Sequence, residues 1–378
     1  MDFSLSETQL ALQDTARRFA REVVRPKAAH YDEVAEFPKE LISAGYELGL
    51  MNMTIPPELG GVGLSHFDQA LVSEELAWGC AGVATSMIAN DLSLLPILIA
   101  GSEAQKLKFV APFTRSLKLG SFALTEPGAG SDVAGLSTTA QRDGADYIVN
   151  GSKCFITNGG HADQFTLFAT LDRTKRHRGM ICLVVEGRPK GLTVGKHENK
   201  MGQRASDTVA LTFDDVRIPV ENRIGAEGDG FRIAMETLDN SRPLTAEFAV
   251  GIARAALEHS IEYAGQRQQF GKPIREFEAI QFMLADMAKD VQAARLLSWQ
   301  AAWQLDAGQR NTLVSSYAKC FAADAAMRVT TDAVQIYGGY GYIKEFPVEK
   351  LMRDAKLIQI YEGTSQIQRL VIARELFR

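Results

Sequence analysis

Cysteine is scarce: four in 378 residues, at positions 80, 154, 182 and 320, with no C-x-x-C pair. That spacing fits no zinc framework, so the thiols read as reduced. Long apolar runs are missing too. The most apolar stretch, 92–100, is broken by Pro96 and is far short of the roughly 20 residues a membrane span needs. The opening Met1-Asp2-Phe3-Ser4 lacks a basic segment followed by an apolar one. The expectation is therefore no signal peptide and a cytoplasmic or mature matrix protein. Neither sign of charge dominates. Lys plus Arg total 41 against 46 Asp plus Glu, a net charge of −5, which does not suit nucleic acid or an anionic membrane as main partner. The six histidines stand apart without ligand spacing, so no metal is expected. No G-x-S-x-G occurs. The Gly-x-Gly pieces at 128–130 and 228–230 do not open a helix after a strand, which argues against a nicotinamide-binding Rossmann unit.

What is present suits a globular chain: 46% apolar and 23% charged residues. At about 150 residues per domain, the length allows two or three domains. Residues 1–112 read as an N-terminal helical domain, with Leu5, Leu12, Phe19 and Val23 near helical spacing. Residues 113–229 change period and read as a central β-domain. Tyr147-Ile148-Val149, then Asn150-Gly151, then Cys154 to Thr157 predicts a hairpin turning at Asn-Gly. Val209, Leu211 and Phe213 alternate as a half-buried strand should. Residues 230–378 return to the helical period. Ile280, Met283, Leu284, Met287 and Val291 form one apolar stripe. Long helices with short connections suggest an antiparallel bundle. The order predicts an α+β fold with segregated layers, ending in a C-terminal four-helix bundle.

Three segments could carry chemistry. Thr125-Glu126-Pro127-Gly128-Ala129-Gly130-Ser131-Asp132 could present backbone N–H groups to a polar ligand, or be an ordinary β-turn. Glu362 ends the apolar run Leu357 to Tyr361 and could be a partly desolvated general base, or a surface residue before the turn glycine Gly363. Tyr337-Gly338-Gly339-Tyr340-Gly341 has more glycine than one helix cap requires.

In order and spacing, these pieces resemble the acyl-CoA dehydrogenases over essentially the whole chain, the medium- and short-chain members most. The resemblance is carried by Pro56–Gly61, the Thr125–Asp132 loop, Met201–Thr208, Arg267–Lys272, Gln335–Gly339 and Leu351–Arg369. It implies FAD as cofactor and a fold of helical, β and four-helix-bundle domains, usually in a homotetramer. It also implies an electron-transferring flavoprotein as acceptor. By the same resemblance, Phe122, Leu124, Thr125, Phe155 and Thr157 lie beside the flavin ring. Phe155 stands where relatives usually have Trp. Arg267, Phe270, Gln335 and Gly339 hold the FAD pyrophosphate and adenosine from a partner subunit, and Thr364 and Gln366 add further contacts. Ser131, Asp239, Ser241, Arg242, Tyr361 and Gly363 fall around the acyl-CoA. Glu362 matches the base. It would take the α-proton while the β-hydrogen leaves as hydride, with the thioester oxygen held by the Glu362 N–H and a flavin ribityl hydroxyl.

One position departs from the pattern. Asp91 falls in Asn90-Asp91-Leu92, where relatives carry a neutral pair on a helix lining the acyl pocket. A charge there is costly. Asp91 is either a second catalytic or polar pocket residue for a cyclic or functionalised acyl chain, or the N-cap of a following helix. An acyl-CoA oxidase or monooxygenase on the same fold is the alternative activity.

Overall fold

A computed structural model describes residues 4–378. Helix α1 (Glu7–Arg18) starts at a capping box in which Ser6 and Gln9 satisfy each other's backbone N–H groups. Helices α2 (Arg25–Val34) and α3 (Lys39–Glu47) follow, then the long α4 (His66–Ala100) and the short α5 (Glu103–Phe109) and α6 (Pro112–Arg115). Ser65 and Asp68 form a second capping box at the start of α4. Inside α4, Cys80 has φ −166° and ψ 115°, which bends the helix sharply. On a straight helix, positions 69 and 91 would lie roughly 33 Å apart, yet their side chains face each other.

Helix α4 is 35 residues long. From Leu71 to Ile88 every residue of it is buried, so no polar face marks the helical period. By length and composition α4 could cross a membrane. Here it is a core helix, packed on α1 and on α7 (Gly230–Gln266).

The central sheet has eight strands: β1 (Gly120–Ala123), β2 (Thr139–Asp143), β3 (Asp146–Thr157), β4 (Gln164–Thr170), β5 (Met180–Glu186), β6 (Leu192–His197), β7 (Thr208–Pro219) and β8 (Arg223–Ile224). Their order is β6-β7-β3-β2-β4-β5-β8, with β1 parallel to β4. The hairpin expected at Asn150-Gly151 is not a turn. Strand β3 runs straight through it, with a register shift against β7 between Val149 and Gly151. The turn lies earlier, between β2 and β3, where Gly144 takes φ +61°. Gly151 is needed for another reason: a Cβ there would sit 2.5 Å from Thr138 Oγ1.

The C-terminal bundle is α7, α8 (Glu278–Asp306), α9 (Thr312–Tyr337) and α10 (Val348–Ile358), with α11 (Ser365–Leu376) laid on α9. A two-stranded ribbon, β9 (Gln268–Gln269) and β10 (Lys272–Pro273), joins α7 to α8. One apolar core runs from α1 and α4 through α7, α8 and α9, and the sheet has its own. All four cysteines are free.

Candidate active site

A cavity of about 1060 Å³ opens between the sheet, α4 and the bundle. Strand β1 and the residues after it bring Phe122, Leu124 and Thr125 to its wall, and β3 brings Phe155 and Thr157. These two edges are fastened together. The Cys154 N–H donates to Thr125 O at 2.9 Å, and Ser121 Oγ donates to Thr157 O at 2.7 Å. Behind them Lys153 and Glu126 form a fully buried ion pair at 2.7 Å. The Glu126 carboxylate also accepts from the Thr138 N–H at 2.9 Å and from Ser137 Oγ at 2.8 Å. Burial alone would raise its pKa, but the Lys153 charge and these donors hold it down to about 2. The Thr125–Asp132 segment is thus a tight turn, Glu126 bridging to Ala129, anchored from inside by a carboxylate. Ser131 stands on the cavity rim.

Helix α7 supplies the opposite wall. Asp239 and Arg242 are paired through their side chains, and Thr312 Oγ1 donates to the other Asp239 oxygen at 2.7 Å. Arg242 is buried, and its Nε has no hydrogen-bond partner among the described residues. Ser241 Oγ donates to Glu362 Oε2 at 2.8 Å. Glu362 sits between α10 and α11 with φ 54°, followed by Gly363 at φ 85°. Two consecutive left-handed residues are a strained turn unless the surroundings fix it. They do: Gln368 Nε2 donates to both carbonyls at 3.2 Å, and the buried Lys319 Nζ donates to Gly363 O at 2.5 Å.

Burial pushes the Glu362 carboxyl up. The Ser241 hydroxyl and the Arg242 and Lys319 charges pull the other way, and burial wins. Tyr361, beside it, has its phenol raised by burial, with Gln203 and Thr85 as polar neighbours. Thr85, Ile88, Ala89 and Leu92 of α4 and Leu244, Thr245 and Phe248 of α7 complete an apolar end.

The cavity therefore gathers Phe122, Leu124, Thr125, Ser131, Phe155 and Thr157 with Asp239, Ser241, Arg242, Tyr361, Glu362 and Gly363. Arg267 and Gly339 line a separate recess of about 520 Å³ with Tyr263, Tyr337 and Tyr340. Phe270 is 93% exposed beside it. Gln335 and Gln366 are exposed, and Thr364 caps α11 through the Ile367 N–H. Asp91 lines neither cavity. It lies inside α4, so it is no N-cap. It is 5% exposed, and neither carboxyl oxygen has a hydrogen bond of good geometry. Burial raises it to about 7, with Gln69 facing it. Lys319 went unnoticed in the sequence. Its signal was a lone cation on a buried stripe of α9 with Ser315, Ala322, Ala323 and Ala326.

The wall residues fit an aromatic, phosphate-bearing ligand. Phe155 is held 68% exposed in a left-handed backbone at the bulged end of β3. The orphaned Arg242 Nε is a buried donor awaiting an acceptor.

Three sequence families match consecutive parts of the chain. They are acyl-CoA dehydrogenase N-terminal domain over residues 6–116, middle domain over 121–216 and C-terminal domain over 228–377. The chain is 45% identical to the mitochondrial short-chain specific acyl-CoA dehydrogenase of Rattus norvegicus over 375 residues, 99% of this chain and 91% of that one. Butyryl-CoA dehydrogenase from Megasphaera elsdenii superposes with a TM-score of 0.98 at 44% identity, each chain covered completely. So does a chain in a structure described as the electron transferring flavoprotein of Acidaminococcus fermentans, with the same score, identity and coverage.

Proposed function

The chain belongs to the acyl-CoA dehydrogenase family and carries out FAD-dependent dehydrogenation of an acyl-CoA thioester to the enoyl-CoA, a step of fatty-acid β-oxidation, and we propose that Glu362 is its base and a short straight chain its substrate. The observation that carries the assignment of the base is the Glu362 carboxylate, fixed by Ser241 on the wall between bundle and sheet. The short chain rests on the likeness to the short-chain and butyryl-CoA enzymes.

Family members are FAD flavoproteins. In this chain Phe155, Thr157, Phe122, Leu124 and Thr125 would hold the flavin ring against the sheet. Arg267, Phe270, Gln335 and Gly339 would hold the phosphate and adenosine end of a neighbouring subunit's cofactor in a homotetramer, and Thr364 and Gln366 would extend that contact. Bound FAD supplies the acceptor for the β-hydride. Glu362 takes the α-proton. A carboxylate desolvated there is a stronger base than one in water. The Glu362 N–H would donate to the thioester oxygen as negative charge builds on it. Ser131, Asp239, Arg242, Tyr361 and Gly363 would position the thioester, and the apolar end formed by α4 and α7 would take the acyl chain. An electron-transferring flavoprotein is the proposed acceptor. Asp91 has no part in this reaction.

The test is anaerobic mixing of the FAD-loaded protein with straight, branched and cyclohexyl acyl-CoA thioesters, following the flavin absorbance. Bleaching should be fastest with short straight chains; bleaching by none of them would overturn the assignment of the reaction. In Glu362→Gln bleaching should slow by about 10³-fold with FAD retained. A near-normal rate would place the base elsewhere.

A further inference from the structure

Two lysines among the described residues have no exposed surface, Lys153 and Lys319. Lys153 has the partner that a buried cation normally requires, the Glu126 carboxylate at 2.7 Å. Lys319 has none. Its Nζ donates to the carbonyl of Gly363 at 2.5 Å, and no carboxylate among the described residues lies within ion-pair distance. A cation kept dry against a peptide carbonyl is expensive. Methionine or leucine would fill that place on α9 without the penalty. The carbonyl it holds belongs to the residue after Glu362. The anion that acts most strongly on Lys319 is the Glu362 carboxylate itself.

We propose that Lys319 is a positioning residue for the dehydrogenation, locking the left-handed Glu362–Gly363 turn from behind and placing a positive charge that keeps the Glu362 carboxylate ionised until it takes the substrate proton. The proposal rests on Glu362 being the base. Every element around that carboxylate contributes to the balance. Helix α7 gives the Ser241 hydroxyl and Arg242, itself tied to Asp239. Helix α9 gives Lys319, Cys320 and Asp324, the last engaged by Arg369, Gln359 and Ser365. Helix α11 gives the uncharged Gln368. Arg242 and Lys319 are the two cations that act directly on Glu362. Arg242 already has a carboxylate partner, whereas Lys319 does not.

Two substitutions separate the hydrogen bond from the charge. Lys319→Gln keeps a donor near Gly363 O and removes the charge. Lys319→Met removes both. Burial already raises Glu362, so losing an attractive cation raises it further and leaves less carboxylate at a given pH. The acidic limb of kcat/KM should therefore move upward by about one pH unit in Lys319→Gln. Activity would then fall about tenfold on that limb, while the plateau, read below about pH 8, where burial-lowered Lys319 is still charged in the wild type, stays within about twofold of wild type. Lys319→Met should show the same displacement plus a lower plateau, because the turn loses one of its two anchors. FAD content and the melting curve confirm folding, and if Lys319→Met does not load FAD, Lys319→Gln alone decides. An unmoved acidic limb in Lys319→Gln would overturn the proposal. Glu362→Gln, measured alongside, distinguishes the two failures. If it stays active, the base assignment is wrong; if it is dead while the Lys319→Gln limb stays put, only the role of Lys319 falls.

Discussion

Asp91 shows how a single residue can mislead when its helix is unknown. Its sequence neighbours suggested a pocket or a cap, and either would have rewarded a carboxylate. The structure gives it neither, only burial and the side chain of Gln69. The group is raised to about 7 in the folded protein, against about 3.9 in an unfolded chain. Between those values the folded state holds one more proton than the unfolded state. Stability therefore falls as pH rises from about 4 to 7, and the full penalty applies above 7. Asp91→Asn keeps the shape and removes the titration. It should stabilise the protein by about 2 kcal/mol at pH 8 and much less at pH 5, read as a larger gain in Tm at the higher pH. Preference between straight and cyclic thioesters should not change, because Asp91 does not line the cavity. Glu362 was singled out only through the resemblance of the Leu351–Arg369 segment, because the local pattern of apolar run, acid and glycine fits a surface residue as well as a base. Lys319 was not, because its importance lies in a contact 44 residues away along the chain.

Elements were legible where one face meets water. Helix α8 carries the apolar stripe expected of it, with Met287 and Val291 buried, and β7 shows the expected alternation. Helix α4 and the first half of β3 were not. The first is apolar on all sides. The second carries Asn-Gly, whose preference for positive φ serves a bulge as well as a turn. Gly151 has φ 149° and backs onto Thr138. Gly151→Ala should cost about 2 kcal/mol, because the added Cβ would push Thr138 away or force β3 out of register with β7. Thermal melting would report the loss, and weaker FAD retention should accompany it, since Phe155 and Thr157 lie on the same strand. Unchanged melting would mean that the strand can absorb the extra atom. The real hairpin residue, Gly144, stood in an equally good Asp-Gly pair. What the sequence alone could not decide was which of two valid turn signals the sheet would use.

At the scale of the molecule, the main cavity lies between sheet and bundle, whereas the second recess lies at the far end of α7 and α9. Arg267 lies 5.4 Å over the Tyr340 ring, and Tyr263 stacks on Tyr337 at 4.0 Å, which leaves an aromatic floor with an open side. Phe270, 93% exposed, projects from the β9–β10 ribbon with φ 52°. A rigid exposed aromatic beside an open recess suits burial against another subunit. Phe270→Glu should weaken assembly and FAD retention together, seen as a smaller species by analytical ultracentrifugation and a lower flavin-to-protein ratio. A full tetramer with normal flavin would rule out that role. Composition alone could not reveal this coupling: the net charge of −5 says nothing about where single arginines and phenylalanines are placed.

Helix α4 has a consequence for the order in which the protein is made. It is complete at residue 100, but its main cover, α7, begins only at residue 230. At about 5–20 residues per second, those 129 intervening residues leave a long apolar helix without its main cover on the ribosome for roughly 6–26 seconds. Helix α1 shields one side of it during that interval, and the buried acids Glu74 and Glu75 await Arg254 and Arg295 from the unmade half, with only Arg17 already at hand. The nascent chain is thus at its stickiest in mid-synthesis, and the charges that later neutralise one another inside the bundle meanwhile keep that helix wet.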